Sequence, residues 1–152
     1  MIDRYFEDFA VGETFETAAH TISLEESLTF AQAYDPQPFH LNDEAAQTSF
    51  FKRLVSSGWQ TAAVTMRLVV ESGVLRATGI VGTGIDDLRW LAPVVPGDTL
   101  RVRGEVIDRQ PWPGNKRRGT LRVRLLTRNQ DDLVVMSQIA NLVLNYRETP
   151  SR

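Results

Sequence analysis

Asp35 and His40 stand five residues apart in AYDPQPFHLND (residues 33–43), with Pro36 and Pro38 between them. A carboxylate and an imidazole can move protons near neutral pH, the imidazole because its ordinary pKa, about 6.5, lies there. Two readings fit the pair. In one, Asp35 caps the preceding turn and His40 packs its ring. In the other, both hold one water and transfer its proton. An extended, proline-rich path rises about 3.1 Å per residue, so five steps separate the groups by roughly 15 Å. That is too far for a shared water, so the chemical reading requires a bend. Asp-Pro favours turn initiation, and the prolines lower the entropy lost on fixing such a hook.

Few other residues offer chemistry. His20, the second of two histidines, falls in a strand-like run and reads as structural. Glu13, Glu16, Glu25 and Glu26 form no metal-ligand pattern, so no metal is expected. The chain has no cysteine, which removes disulfides, thiolate catalysis and cysteine metal sites. Lys116, Arg117 and Arg118 suit phosphate oxygens, but a solvated hairpin tip is the plainer reading.

The elements that must position the pair follow from pattern. Residues 13–22 read as a first strand. Ser23 with Glu26 fits a capping box, opening a helix over 24–34 with Leu24, Leu28 and Ala31 on one stripe. Pro36 disfavours helical geometry at Asp35, so the helix ends there and 35–43 is a loop. Residues 44–55 hold short helical turns. Ser56-Ser57-Gly58 starts a second helix, in which Trp59, Ala63, Met66 and Val70 recur at helical spacing. Ala62, Leu68 and Val69 widen this apolar surface, so the helix should be buried. Gly73, Gly79, Gly82 and Gly84 break the helical pattern. Strand-like runs follow at 84–92, 98–109, 119–129 and 133–146, with turn clusters between them. Short connections favour antiparallel pairing. The fold class expected is α+β, with an antiparallel sheet wrapped around a long central helix.

Length and composition agree. One domain spanning 1–152 is expected, with a real core at 42% apolar and 24% charged residues. The net charge of −2 gives no reason to expect nucleic acid or an anionic membrane as partner. The opening MIDRYFEDFAVGE is acidic and lacks a signal-peptide core, and no apolar stretch approaches a bilayer span. A cytoplasmic protein is the expectation.

Three motifs then carry a resemblance: YDPQPFHLNDEAA at 34–46, SSGWQTAA at 56–63 and LRWLAPVVPGDTL at 88–100. In their order and spacing they resemble the MaoC-like dehydratases of the hot-dog fold. The first is the more specific, and with the flanking strands the likeness covers almost the whole chain. It implies a homodimer or higher homo-oligomer, an active site at or near the subunit contact, and (R)-specific hydration of enoyl-CoA or a related dehydration, a chemistry of fatty acid metabolism. It places the catalytic aspartate at Asp35 and the catalytic histidine at His40. Many hydratases of the family carry asparagine two residues after the aspartate. Gln37, a longer amide, stands there, which touches substrate geometry more than chemistry.

Hydration of a 2-enoyl thioester needs a base for water, an acid for the neighbouring carbon and donors for the thioester oxygen. No organic cofactor is required. A helix start offers free N–H groups and the positive end of its dipole. Gly58, without a side chain, would let substrate approach its N–H, and Ser57 would line the site. The substrate expected is an acyl-CoA or acyl-carrier thioester. Two alternatives remain: a thioesterase on the same fold, and a non-catalytic acyl-thioester-binding subunit.

Overall fold

The computed structural model describes residues 3–76 and 80–148. After a 3₁₀ turn at Phe6–Asp8 come β1 (Thr14–Glu16) and β2 (His20–Thr21), α1 (Leu24–Tyr34), α2 (Pro38–Leu41), α3 (Asp43–Gln47) and α4 (Gly58–Ser72). Four long strands complete the chain: β3 (Val81–Trp90), β4 (Thr99–Pro111), β5 (Arg118–Arg128) and β6 (Val134–Asn145). The sheet runs β1-β4-β5-β6-β3, with β2 also on β4. Every pairing is antiparallel.

The alternation read in β4 and β5 turns one face of each strand inward. Leu100, Val102 and Val106 of β4 and Leu121, Val123 and Leu125 of β5 meet Val64, Leu68 and Val69 of α4 in one core. This is the expected sheet on a long helix. The helix ends at Gly73, whose φ of 72° is the left-handed cap geometry that glycine adopts without strain.

Four expectations need correction. The first strand is broken into two pieces after Thr17, whose N–H still donates to Val102 O at 3.0 Å while its hydroxyl replaces a backbone carbonyl as acceptor, taking Val102 N–H at 3.0 Å. On α1 the buried positions are Ser27 and Ala31, while Leu24 is exposed. Ser27 goes inward because its hydroxyl meets that of Ser56 at 2.7 Å. The segment 35–43 is no simple loop. Pro38, with its preset φ, starts the helical turn of α2, and Asn42 caps α3. On α4 the stripe of Trp59, Met66 and Val70 faces outward, as does Ala63. The face that meets the sheet carries Val64, Leu68, Val69 and Thr65, whose hydroxyl pairs with Thr127 at 2.6 Å. The helix is apolar on two sides, and one chain's sheet covers one of them. Of the glycines read as helix breakers, Gly79 lies outside the described residues.

Candidate active site

The hook between α1 and α3 is built from caps. Asp35 is the C-cap of α1, its N–H donating to Ala31 O at 2.9 Å. Gln37 is the N-cap of α2, and its N–H donates back to Asp35 O at 2.8 Å. The single turn of α2 then swings His40 round to the acid. Asp35 Oδ2 and His40 Nε2 lie 3.2 Å apart, both side chains being largely shielded from solvent. The bend required by the spacing is therefore present.

The imidazole orientation is fixed from its other side. Nδ1 lies 2.7 Å from Val55 O. A carbonyl only accepts, so Nδ1 carries the proton of that bond and Nε2 is left facing the carboxylate. Val55 N in turn donates to Phe39 O at 3.2 Å, tying the hook to the strand-like lead into α4. Phe39 packs edge-on against the ring at 4.5 Å.

The carboxylate is equally constrained. Gln37 Nε2 donates to Oδ1 at 2.7 Å, and Ser57 Oγ donates to Oδ2 at 2.7 Å. These two bonds use two of its roughly four acceptor positions, and the remainder face His40 and leave room for a water. Burial pushes the Asp35 carboxyl up. The hydrogen bonds from Gln37 and Ser57 and the neighbouring His40 outweigh it, so the group titrates below the usual carboxylate range.

Ser57 does not stand where the motif suggested. It is fully buried and behind the cavity wall rather than in it. As N-cap of α4 it accepts from Trp59 N at 3.2 Å while donating to Asp35. Its carbonyl accepts from Gln60 N and Thr61 N, which fixes the Ser57–Gly58 peptide plane. Gly58 lines the cavity, and its N–H donates to no described residue. Its missing side chain serves a neighbour: a Cβ there would lie 2.6 Å from Trp90 Nε1. The space read as an approach for substrate is thus filled by indole, while the N–H stays free.

The cavity beside these groups has a volume of about 450 Å³, within the ordinary range for small-molecule sites. Asp35, Gln37, His40 and Gly58 line it together with aromatic and aliphatic side chains. Trp59 and Trp90 also stand at this cavity, both half exposed. The third motif, which holds Trp90, carried the signal but not the direction of the side chain. His20 lies elsewhere, paired with Glu26 at 3.0 Å. Lys116, Arg117 and Arg118 sit at the far end of the thirteen-residue β4, roughly 40 Å along the strand from Thr99 at about 3.3 Å per residue. Among the described residues no group of three or more ligating side chains is arranged to hold a metal ion, and no helix is long and apolar enough to cross a membrane.

Comparison with known proteins adds an independent line. A family model described as "MaoC like domain" matches residues 8–129. The chain is 33% identical over 129 residues to protein YdeM of Bacillus subtilis, covering 85% of this chain and 90% of that one. It is 34% identical over 105 residues to the (R)-specific enoyl-CoA hydratase of Rhodospirillum rubrum, covering 66% and 67%. Two further relatives are longer, and the chain spans 30% and 42% of them. The crystal structure of a MaoC-like dehydratase from Rhodospirillum rubrum superposes with a TM-score of 0.91 at 41% identity, covering 96% of this chain and 99% of that one.

Proposed function

This chain belongs to the MaoC-like domain family, and from that premise we propose that it reversibly adds water to a 2-enoyl thioester of the CoA type. The observation that carries the reading is the Asp35–His40 pair at 3.2 Å, on the wall of a cavity that also holds the free N–H of Gly58. The (R)-specific enoyl-CoA hydratase among its relatives supports the choice of substrate.

In this scheme a water bound at Asp35 and His40 loses a proton to the pair as its oxygen bonds to C3. The π electrons shift through C2 to the thioester oxygen, which Gly58 N–H receives. The pair then returns a proton to C2, so one water has been added and nothing is oxidised or reduced. Such general acid–base assistance contributes on the order of 10²–10⁴ in rate. A preorganised oxyanion donor adds about 10²–10³.

The assay is incubation with a short enoyl-CoA. Loss of the conjugated absorbance without free thiol is expected. Released thiol would favour the thioesterase alternative, and silence across a broad thioester panel the binding-subunit alternative.

The protein acts as a homodimer in this reading. β3 is exposed along nearly its whole length and, among the described residues, pairs on one side only, with β6. A free edge of that kind invites a second strand. The outward stripe of α4, with Trp59, Met66 and Val70, offers apolar surface to the same copy.

A further inference from the structure

Trp90 has no part in the proton-transfer scheme, yet it stands against the proposed oxyanion donor. It is the last residue of β3, reached after a register irregularity between Asp86 and Arg89 that includes Asp87 at φ 50°. Bulges of this kind re-aim side chains beside functional sites. Its Nε1–H donates to Gly58 O at 2.8 Å. Trp59 meets its ring edge-on, with centroids 4.9 Å apart at 82°. Strand, hydrogen bond and ring contact together hold the indole in place. A large, fixed side chain on the cavity wall limits the size of what can occupy the cavity.

The walls also set the charge of the occupant. Asp35 and His40 are the ionisable groups among the described lining residues, and no lysine or arginine joins them. Phe39, Val55, Leu91 and Val94 are typical of the remainder. A free carboxylate on the acyl group would enter this apolar space beside Asp35 with no cation to meet it, which is costly.

We infer that Trp90 is a specificity-determining residue that, with these uncharged walls, confines the acyl group to a short hydrocarbon chain. The inference rests on the thioester reading above.

Two measurements on wild type and Trp90→Ala test it. The first is kcat/KM for crotonyl-CoA, trans-2-octenoyl-CoA and mesaconyl-CoA, the last carrying a free carboxylate on its acyl group. The second is calorimetric affinity for the saturated, unreactive butyryl-CoA and octanoyl-CoA. In wild type, crotonyl-CoA should exceed octenoyl-CoA, and mesaconyl-CoA should trail crotonyl-CoA by a hundredfold or more. In Trp90→Ala both the rate ratio and the affinity ratio should move toward the eight-carbon chain by tenfold or more. Trp90→Phe, a smaller ring, should move them partway and serves if the alanine variant does not fold. Hydration with unmoved ratios overturns the inference alone, as does mesaconyl-CoA turned over as well as crotonyl-CoA. A moved affinity ratio without hydration of any thioester overturns the hydration reading and leaves the role of Trp90 standing.

Discussion

Replacing Ser57 with alanine probes the site without touching the cavity. The hydroxyl makes two bonds: it donates to Asp35 Oδ2 at 2.7 Å and accepts from Trp59 N at 3.2 Å. Losing an N-cap costs about 1 kcal/mol, and losing a hydrogen bond to a charged group about 1.5–3 kcal/mol. Total destabilisation of roughly 2–4 kcal/mol is therefore expected at neutral pH. The Asp35 part has a definite sign. The folded pKa of Asp35 lies below its unfolded value, so its contribution is full above the unfolded value and fades as pH falls through the folded one. Alanine removes one of the bonds that lower this pKa, so the stability gap between variant and wild type should narrow in acid. In turnover, a carboxylate released from one restraint should lower kcat by roughly ten- to a hundredfold, or about 1.4–2.8 kcal/mol. KM should hardly move, because Ser57 does not line the cavity. The acid limb of kcat/KM should shift to higher pH, and Ser57→Thr, which keeps the hydroxyl, should recover much of the loss. Urea melts from pH 3 to 8 and a pH–rate profile supply the data. A Ser57→Ala protein with wild-type kcat and an unmoved acid limb would refute the argument.

Asp35→Asn and His40→Ala should each lower kcat by about 10²–10⁴ while the protein stays folded by circular dichroism; full turnover in either variant would remove it from the mechanism. Gly58→Ala should cost about 1–3 kcal/mol in a melt, since its Cβ would meet Trp90 Nε1 at 2.6 Å. Combining it with Trp90→Ala should recover part of that cost. Thr65→Val should cost about 1–3 kcal/mol, because Thr127 is left buried without its partner at 2.6 Å. Changing both to valine should come close to neutral. Light scattering at micromolar concentration should report a dimer, and Met66→Lys on the outward face of α4 should reduce its mass to one chain.

The sequence was most legible where the structure is local. The capping box of Ser23 and Glu26, the stop at Asp35 and the start at Gly58 all depend on residues within four positions of one another, and α1 begins and ends there while α4 begins there. Alternation marked β4 and β5, and turn chemistry set off all four long strands. Side-chain direction on α4 was not legible, because that helix is apolar on two faces. Distant partners in the sheet, Thr127 for Thr65 among them, mark the face that the sheet of the same chain takes. The positions of Ser57 and Trp90 were not legible either, because their partners, Asp35 and Gly58, lie 22 and 32 residues away.

These observations join in one physical point. Asp35, Gln37 and Ser57 are all cap residues, one closing α1, one opening α2 and one opening α4. Caps hold polar groups at helix ends where the backbone is unsatisfied, so a site built from three of them needs little extra structure to keep its donors and acceptors aimed. The arrangement also explains why a motif of thirteen residues carries so much. Residues 34–46 encode their own bend, and only the second motif must be brought to it. What the caps cannot supply is the indole on the cavity wall. It comes from the end of an edge strand, as Trp90, and is tied to the start of α4 by the hydrogen bond to Gly58 O and the ring contact with Trp59. Proton transfer and acyl selection should therefore separate under mutation: changes at 35, 40 and 57 alter kcat and its pH dependence, while changes at 90 alter which thioester is preferred.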